Sequence, residues 1–259
     1  TSTSGDTKGA LTFHTRDVIT DTAPSERLRI ESDGVIHSKS GVLELNSEST
    51  ASSGEIDKIK FRKAHTSGVG TGEYDQAELR SFTSNGFAGG LNVYTGKSTG
   101  GGNYASSLTA KFDEEGMVTI PNQPMFDAYL STDSNHSAGT YNLSTGDAWS
   151  TRTNIGNHFR SGTFTARVAG SYLFTANITA NGSVTSMTYF GCEFQVNGQR
   201  RNVHWFGKGG TTTSYFAANN STIINLAAND IVRLASEKAQ ATTVLGGTTY
   251  TSFTGMLLG

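Results

Sequence analysis

The sequence has few residues that would cross-link the chain or give it a strong charge. Of its 259 residues one is a cysteine, Cys192, so an intramolecular disulfide framework is excluded. Cys192 lies in the apolar run FGCEFQV and is interpreted as a small buried hydrophobic residue rather than a reactive thiol. The 20 basic and 22 acidic residues leave a net charge of -2 without a polybasic run, which argues against nucleic acid as a partner.

Long apolar runs are also missing. No stretch approaches the ~18 consecutive apolar residues of a membrane span, and the first residues, TSTSGDTKG, lack the basic and apolar regions of a signal peptide. Hydrophobic residues make up 35% of the chain, below the roughly 45–50% apolar content of an ordinary globular domain, whereas glycine is abundant at 31 residues. The sequence therefore predicts no membrane insertion and a glycine-rich fold with limited hydrophobic core.

The most informative stretch covers residues 154–178, NIGNHFRSGTFTARVAGSYLFTANI. Its apolar residues fall mostly on alternate positions, which is the period of strands with one buried face. These positions are Phe164, Ala166 and Val168 before Gly170, and Tyr172, Phe174, Ala176 and Ile178 after it. The pattern predicts two strands joined by a tight turn at residues 169–171, where Gly170 accepts backbone conformations closed to other residues.

The same stretch resembles the C1q-domain signature of an Asn or Asp, an aromatic residue, a Phe and then Gly-x-Tyr-x-Phe. The matching residues are Asn154, Phe159, Phe164, Gly170, Tyr172 and Phe174. The spacing from Phe159 to Phe164 is shorter than in the family, and Ala176 stands where an aromatic residue is usual. The segments NDIVRL (229–234) and SFTGMLL (252–258) resemble two later strands of the family. The resemblance covers the last half of the chain and implies a ten-stranded jelly roll that assembles as a trimer, in a family where some trimers bind calcium near their axis.

Residues 1–120 show a different pattern, a series of short strand-like segments separated by Gly, Ser, Thr, Asn and Asp. Each segment offers two or three apolar positions on one face, too few to close a core within one chain. We expect these apolar faces to meet those of other copies, in an intertwined oligomeric shaft.

An internal repeat supports this interpretation. Residues 9–15 align with residues 89–95, and residues 29–36 align with residues 111–118, at offsets of 80 and 82 positions. Residues 9–36 and 89–118 are therefore predicted to be partial copies of one unit of about 80 residues, and the chain is expected to start within a repeat, as a fragment of a longer fibre would. The run ERLRIESDG (26–34) resembles a repeat of phage tail fibres.

A boundary is predicted at residues 121–124, where Pro121 and Pro124 block both helical and ladder hydrogen bonds. The predicted fold is all-β: an intertwined β-rich trimeric shaft over residues 1–120, a proline-containing connector at 121–124, and a C1q-like jelly-roll β-sandwich head over 125–259. Aromatic residues become frequent after the connector, as a hydrophobic core requires.

No motif in the sequence predicts catalysis or a cofactor. Gly96-Lys97-Ser98 resembles the end of a phosphate-binding loop, but the spacing would need glycine at position 91, which is Leu91. The acidic groups at 31–33 and 113–115 suit a calcium site or a hydrolase, but both precede a glycine, as ordinary turns do. The sequence predicts no enzyme, no catalytic residue, no metal site and no cofactor.

The predicted function is that of a homotrimeric phage tail-fibre tip, located in the virion or on a cell surface, that binds a glycan or a protein receptor on a host cell. Upstream fibre or virion proteins are its other expected partners. Two alternatives remain open. A trimeric adhesin of a bacterial surface has the same physical requirements, and a polysaccharide-cleaving tailspike requires acidic pairs in a long groove.

The candidate receptor site lies around a hairpin predicted at Asn197-Gly198. Five residues concentrate there: Arg200, Arg201, His204, Trp205 and Lys208. One interpretation places the Trp205 indole in the core and leaves the cations as a solvated face. The other is a binding surface, since Arg and Trp often anchor interfaces and guanidinium groups match sugar acids and phosphates. An alternative position for the site is the loop at residues 133–140.

Overall fold

The computed structural model of the chain describes residues 9–15, 25–32, 35–38, 54–65, 72–83, 88–100, 103–144, 146–181, 187–207 and 215–259. The chain divides into two compact units, Thr1–Thr119 and Ile120–Gly259. The described residues form strands and turns without any helix, so the fold is all-β as predicted.

The first unit contains β1 (Leu11–Thr15), β2 (Ser25–Ile30), β3 (Ile36–Ser38), β4 (Gly54–His65), β5 (Gly72–Thr83), β6 (Gly89–Gly100), β7 (Asn103–Phe112) and β8 (Val118–Thr119). The second unit contains β9 (Met125–Leu130), β10 (Ser134–His136), β11 (Gly139–Asn142), β12 (Trp149–Ile155), β13 (Phe159–Arg160), β14 (Thr163–Thr165), β15 (Gly170–Asn181), β16 (Tyr189–Val196), β17 (Gln199–Gly207), β18 (Tyr215–Leu226), β19 (Ile231–Lys238), β20 (Thr242–Val244) and β21 (Ser252–Leu257).

The two segments that align in sequence form antiparallel meanders with equivalent registers. In the first, β1 pairs with β2 and β2 with β3; in the second, β6 pairs with β7 and β7 with β8. Leu11 lies opposite Ile30 in the first copy, as Leu91 lies opposite Phe112 in the second. Each copy also has a bulge at the same place, after Phe13 and after Val93. Strands β4 and β5 extend the second meander into a five-stranded sheet.

The turn of the second copy uses the acidic group that the sequence assigned to a turn. The Asp113 carboxylate accepts hydrogen bonds from the backbone N–H groups of Glu115 (3.1 Å) and Met117 (2.8 Å). Gly116 has a φ of +80°, which favours glycine. Glu31 corresponds to Asp113 in the first copy, and the backbone N–H groups of both donate to the carbonyl four residues on, that of Val35 at 2.8 Å and that of Met117 at 3.0 Å. Asp33 and Gly34, which correspond to Glu115 and Gly116, lie outside the described residues.

Among the described residues of the first unit, the large apolar side chains are at most partly buried, and the buried side chains are polar: Glu78, Thr83 and Asn92. Large apolar side chains are exposed at equivalent places of the two copies, such as Leu11 and Leu91, and Ile36 and Val118. An apolar sheet face open to water is a candidate for contact with another protein surface.

The second unit is a sandwich of two antiparallel sheets. One sheet has the order β10-β20-β15-β21-β9-β12, with β18 paired to β15. The other has the order β13-β14-β19-β16-β17, with β11 paired to β19. Alternate residues of each strand point between the sheets, as the burial along β15 shows: Tyr172, Phe174, Ala176, Ile178 and Ala180 are buried, and the residues between them are not.

Aromatic rings fill the space between the two sheets. Phe126 of β9 stacks on Phe159 at 4.6 Å between ring centroids and meets Phe253 edge-on at 4.9 Å. Gly255 leaves room for them, since a Cβ at that position would lie 2.5 Å from Phe126 Cε1. Phe164, Tyr172, Phe174 and Phe253 are all fully buried, and Leu257 packs against the cluster while partly exposed.

The predicted pairing within residues 154–178 is wrong. β14, with Phe164, pairs with β13 and β19, whereas β15, with Phe174, pairs with β18, β20 and β21. The two strands lie in opposite sheets, so the chain crosses the sandwich at residues 166–169 instead of making a hairpin. Val168 lies in this crossover and is 47% exposed, which corrects its assignment to the buried face. Alternation in sequence identifies the buried face of each strand but not its neighbour.

Phe174→Ala tests the aromatic core. The side chain is fully buried and its ring contacts those of Phe126, Phe164 and Phe253. We expect a loss of about 3–5 kcal/mol in the free energy of unfolding, from lost transfer free energy and the cavity left behind. Chemical denaturation measures it, with the exposed Val168→Ala as the control that changes little. A loss below about 1 kcal/mol would contradict the assignment of this face to the core.

Candidate functional site

The hairpin at Asn197 and Gly198 is confirmed. β16 and β17 pair antiparallel from Val196 and Gln199 outward. Asn197 has a φ of 51° and Gly198 a φ of 79°, the positive values that a two-residue turn between twisted strands requires. The Asn197 amide also donates to the Asp230 carboxylate at 2.8 Å and holds the turn against the start of β19.

A bulge next to this turn separates the two arginines. Arg200 lies opposite Gln195 and Asn202 lies opposite Phe194, so Arg201 is the extra residue of β17. Arg201 is exposed, and its charge contributes to lowering the pKa of Asp230, after the larger effects of hydrogen bonds from Asn197 and from a backbone N–H. Arg201 therefore lies at the turn, and Arg200 lies in register with the ladder.

Arg200 and Trp205 lie on the outward face of the sheet. Trp205 lies opposite Gly191 and is 42% exposed, so it is not a core residue. Its ring rests on the Gly191 backbone, since a Cβ at Gly191 would lie 3.1 Å from the ring carbon Cε3. Tyr189 supports the ring edge-on at 4.9 Å between centroids. The Arg200 guanidinium carbon lies 6.0 Å from the centre of the indole.

Two carboxylates hold Arg200 beside the ring. Its Nε lies 2.9 Å from Glu193 Oε2, an ion pair in which the N–H is not aligned for a hydrogen bond. Its Nη2 donates to Glu237 Oε2 at 2.6 Å. The Glu193 side chain is 1% exposed and that of Glu237 is 14% exposed, while Arg200 itself is 48% exposed. The hydrogen bond to Glu237 is the largest cause that raises the pKa of Arg200 above its usual value.

The remaining predicted site residues lie elsewhere. His204 lies opposite Cys192, a core residue, and so has the opposite orientation to Trp205 along the strand. It lines an open groove of about 550 Å³ together with Asn202, Asn219 and Ser221. Lys208 lies outside the described residues. Of the five residues, the structure brings Arg200 and Trp205 together, and it places Arg201 and His204 apart from them.

Sequence reasoning missed the two glutamates. Glu193 is a single carboxylate within the apolar run FGCEFQV, and a charge in a buried strand needs a partner. That signal pointed to a cation nearby. Arg200 lies on the other strand of the predicted hairpin, but Glu237 could not be found from the sequence, because its strand β19 pairs with β16 although two other strands lie between them in the chain.

The alternative position, the loop at residues 133–140, adjoins a buried group of ionisable side chains. His136 Nε2 lies 3.6 Å from Asp147 Oδ1, and both side chains are 2% exposed. Ser134 donates to the same carboxylate, and Tyr141 stacks on the His136 ring at 3.5 Å. Lys238 is fully buried beside them and donates to the Thr242 carbonyl at 3.3 Å.

Burial controls the titration of this group. It lowers the pKa of Lys238 to about 8, and the Asp147 charge opposes the shift. It also lowers the pKa of His136; the Asp147 charge opposes that shift, and the Lys238 charge adds to it. His136 also lines an open cavity of about 420 Å³ with Asn135, Asn181, Thr242 and Thr243. Its polar lining suits water or a hydroxylated molecule.

Within the described parts of the chain, no three or more His, Cys, Asp or Glu side chains come together in a way that could hold a metal ion. The same residues contain no helix that is long and apolar enough to span a membrane.

Comparison with known families identifies the second unit. Residues 130–258 match the family described as C1q domain. Domains of the C1q and TNF type commonly form trimers and bind receptors or other ligands. They are typically extracellular and typically have no enzymatic activity.

Several solved structures are similar to about half of the chain. Murine APRIL has a TM-score of 0.41 at 11% identity, covering 52% of this chain and 99% of APRIL. The globular domain of zebrafish complement 1qA has a TM-score of 0.38 at 14% identity, over 53% of this chain and 98% of that one. Eiger TNF from S. frugiperda has a TM-score of 0.37 at 14% identity, over 53% and 94%. No curated protein sequence matches the chain.

Lys238→Met tests the buried ionisable group through pH. Because the pKa of Lys238 falls from 10.5 to about 8 on folding, the unfolded chain binds more protons than the folded one above pH 8. The contribution of Lys238 to stability therefore rises with pH from about 8 towards 10.5. Below about pH 8 both states carry the proton and the full desolvation penalty remains.

The measurement is the difference in unfolding temperature between the natural chain and Lys238→Met across this range. Both proteins contain Cys192 and Tyr172, whose pKa values burial raises, so the contributions of these two residues cancel in the difference. We expect the natural chain to gain stability relative to the variant as the pH rises. A constant difference would mean that Lys238 titrates as a solvated lysine.

Proposed function

Because residues 130–258 belong to the C1q family, we propose that the chain is the tip of a homotrimeric phage tail fibre that binds the surface of a host cell. In this proposal residues 1–120 form the shaft, residues 121–124 the connector and residues 125–259 the receptor-binding head. The chain then functions in the virion, joined to upstream fibre proteins.

The observation that carries the proposal is the pair of equivalent meanders that precedes the C1q domain. The two copies share their register, their bulge and the position of their exposed apolar side chains. A repeated sheet whose described large apolar side chains are at most partly buried within one chain gains stability when copies of the chain cover the open faces. Repetition along a chain produces an elongated assembly, which is what a fibre needs.

The head offers a surface that fits contact between copies. On the outward face of its larger sheet four apolar side chains form one row across four strands, with Met125 opposite Met256, Met256 opposite Leu173 and Leu173 opposite Ile223. Met125, Met256 and Ile223 are 36%, 37% and 61% exposed. The row borders an open groove of about 480 Å³. Covering it would remove apolar surface from water, the main favourable term in association.

The proposed receptor surface lies on the other sheet, where Arg200 and Trp205 are exposed. An aromatic ring fixed beside a guanidinium is typical of residues that anchor binding surfaces. A receptor surface on this sheet leaves the apolar row of the larger sheet available for trimer contacts. We propose a cell-surface glycan as the ligand, because an exposed indole suits the apolar face of a sugar ring.

Leu173→Arg tests the trimer. Leu173 lies between Met256 and Ile223 in the apolar row, so an arginine at this position would bury an unpaired charge when copies of the chain meet. We expect light scattering at micromolar concentration to give the mass of three chains for the natural protein and a lower mass for the variant. Asn225→Arg, an exposed position on the same outward face of the neighbouring strand β18, is the control and should leave the mass unchanged. A stable folded monomer of the natural chain would contradict the proposal.

Binding of the fluorescently labelled natural chain to intact bacteria tests the attachment function. We expect saturable binding to a limited set of strains. Periodate, which cleaves vicinal diols of sugars, should abolish binding, and treatment of the cells with protease should not. Loss of binding after protease alone would replace the glycan by a protein receptor. Failure to bind any bacterial surface would contradict the fibre function itself.

A further inference from the structure

We propose that the surface around Trp205 binds a neutral sugar residue and discriminates against acidic sugars. The inference rests on the proposed function, which it deepens by naming the ligand class. The sequence alone predicts a different preference, because the arginines and the lysine of this hairpin favour sugar acids and phosphates.

The indole of Trp205 is a prepared stacking surface. One side of the ring lies against Gly191, where a Cβ would be only 3.1 Å from the ring carbon Cε3. Tyr189 packs edge-on against the ring and holds it in place. Trp205 is nevertheless 42% exposed. A ring held in place loses little conformational entropy when a ligand stacks on it, and this favours affinity.

The positive charge of Arg200 is already paired with two carboxylates. Arg200 is held by both Glu193 and Glu237, so this group of three has a net charge of -1 when all are ionised. The fully buried Glu193 cannot be replaced easily as a partner, because moving Arg200 away would leave its carboxylate buried without this cation, with the hydrogen bond from the Gln195 amide still in place. An incoming carboxylate would have to compete with two carboxylates already in place, whereas a hydroxyl would not.

The exposed parts of the same group suit sugar hydroxyls. Arg200 is 48% exposed and keeps N–H groups beyond those used for Glu193 and Glu237. Glu237 is 14% exposed, and its second carboxylate oxygen can accept a hydroxyl hydrogen. Thr140 lies opposite Glu237 on β11, which places a hydroxyl next to the same carboxylate. Donor and acceptor thus lie beside one aromatic face, the arrangement that an uncharged pyranose ring requires.

The test uses the natural chain and four probes. Methyl β-D-glucoside and methyl β-D-galactoside are the neutral sugars, and D-glucuronic acid and N-acetylneuraminic acid are the acidic ones. Binding is followed by ligand-detected NMR and by tryptophan fluorescence. Trp149, whose indole donates to the Leu143 carbonyl inside the head, is the second tryptophan and is removed by Trp149→Phe where its signal interferes. We expect at least one neutral sugar to bind about tenfold more tightly than either acidic sugar.

Variants assign the binding to the proposed residues. Trp205→Ala should weaken binding of the neutral sugar about tenfold or more, as for an aromatic anchor, and Trp205→Tyr should restore part of it. Gly191→Val should have the same effect as Trp205→Ala although residue 205 is unchanged, because the added side chain displaces the ring. Arg201→Ala is the matched control: it removes a cation of the same hairpin that lies apart from Trp205, and it should leave the affinity for the neutral sugar unchanged.

Glu237→Gln tests the charge argument separately. It removes one negative charge and keeps the shape of the side chain, so the two classes of sugar should come to about equal affinity. Trimer mass and unfolding temperature are measured for each variant, and only variants that match the natural chain in both are compared. If Gly191→Val differs from the natural chain in trimer mass or unfolding temperature, the comparison of Trp205→Ala with Trp205→Tyr tests the inference by itself.

The outcomes separate this inference from the function on which it rests. Tighter binding of an acidic sugar, or unchanged binding by Trp205→Ala, overturns the inference, and so does cell attachment that survives Trp205→Ala. Sugar binding through Trp205 by a chain that attaches to no cell would support the inference and contradict the fibre function.

Discussion

The aromatic cluster between the two sheets of the C1q domain is the interaction on which its other features depend. Phe126, Phe159, Phe164, Phe174 and Phe253 come from both sheets and meet at ring distances between 4.6 and 6.4 Å. Burial of such rings is the largest favourable contribution that the composition allows, since only 35% of the chain is hydrophobic. With the inward face of each strand fixed by this cluster, the outward residues are fixed as well.

The surface around Trp205 follows from that constraint. Phe194 and Cys192 point into the core, so Glu193 between them and Gly191 must face outward, where β17 places Arg200 and Trp205 over them. Full burial of Glu193 is tolerable only with a cation in contact, and Arg200 meets that requirement. The arginine that the sequence offers as a receptor for anions therefore has a structural partner, and its positive charge is balanced within the protein.

The two units contrast in how they meet the need for apolar burial. The C1q domain closes its core within one chain. In the described part of residues 9–119, by contrast, the buried side chains are polar, and large apolar residues at equivalent places of the two meanders are exposed. The first pattern suits a domain that folds by itself, and the second suits one that completes its core by association.

The sequence by itself determined the all-β class, the buried face of β15, the turn at Asn197 and Gly198, and the C1q character of residues 130–258. These features depend on alternation, turn chemistry and local motifs, which act over a few residues. Only the tertiary structure decided that β14 and β15 lie in opposite sheets, that Trp205 faces outward, and that Arg200 meets Glu237 of a distant strand. The reason is physical: a period of two separates the faces of a strand, but which neighbours pair with it is set by packing between segments far apart in the chain.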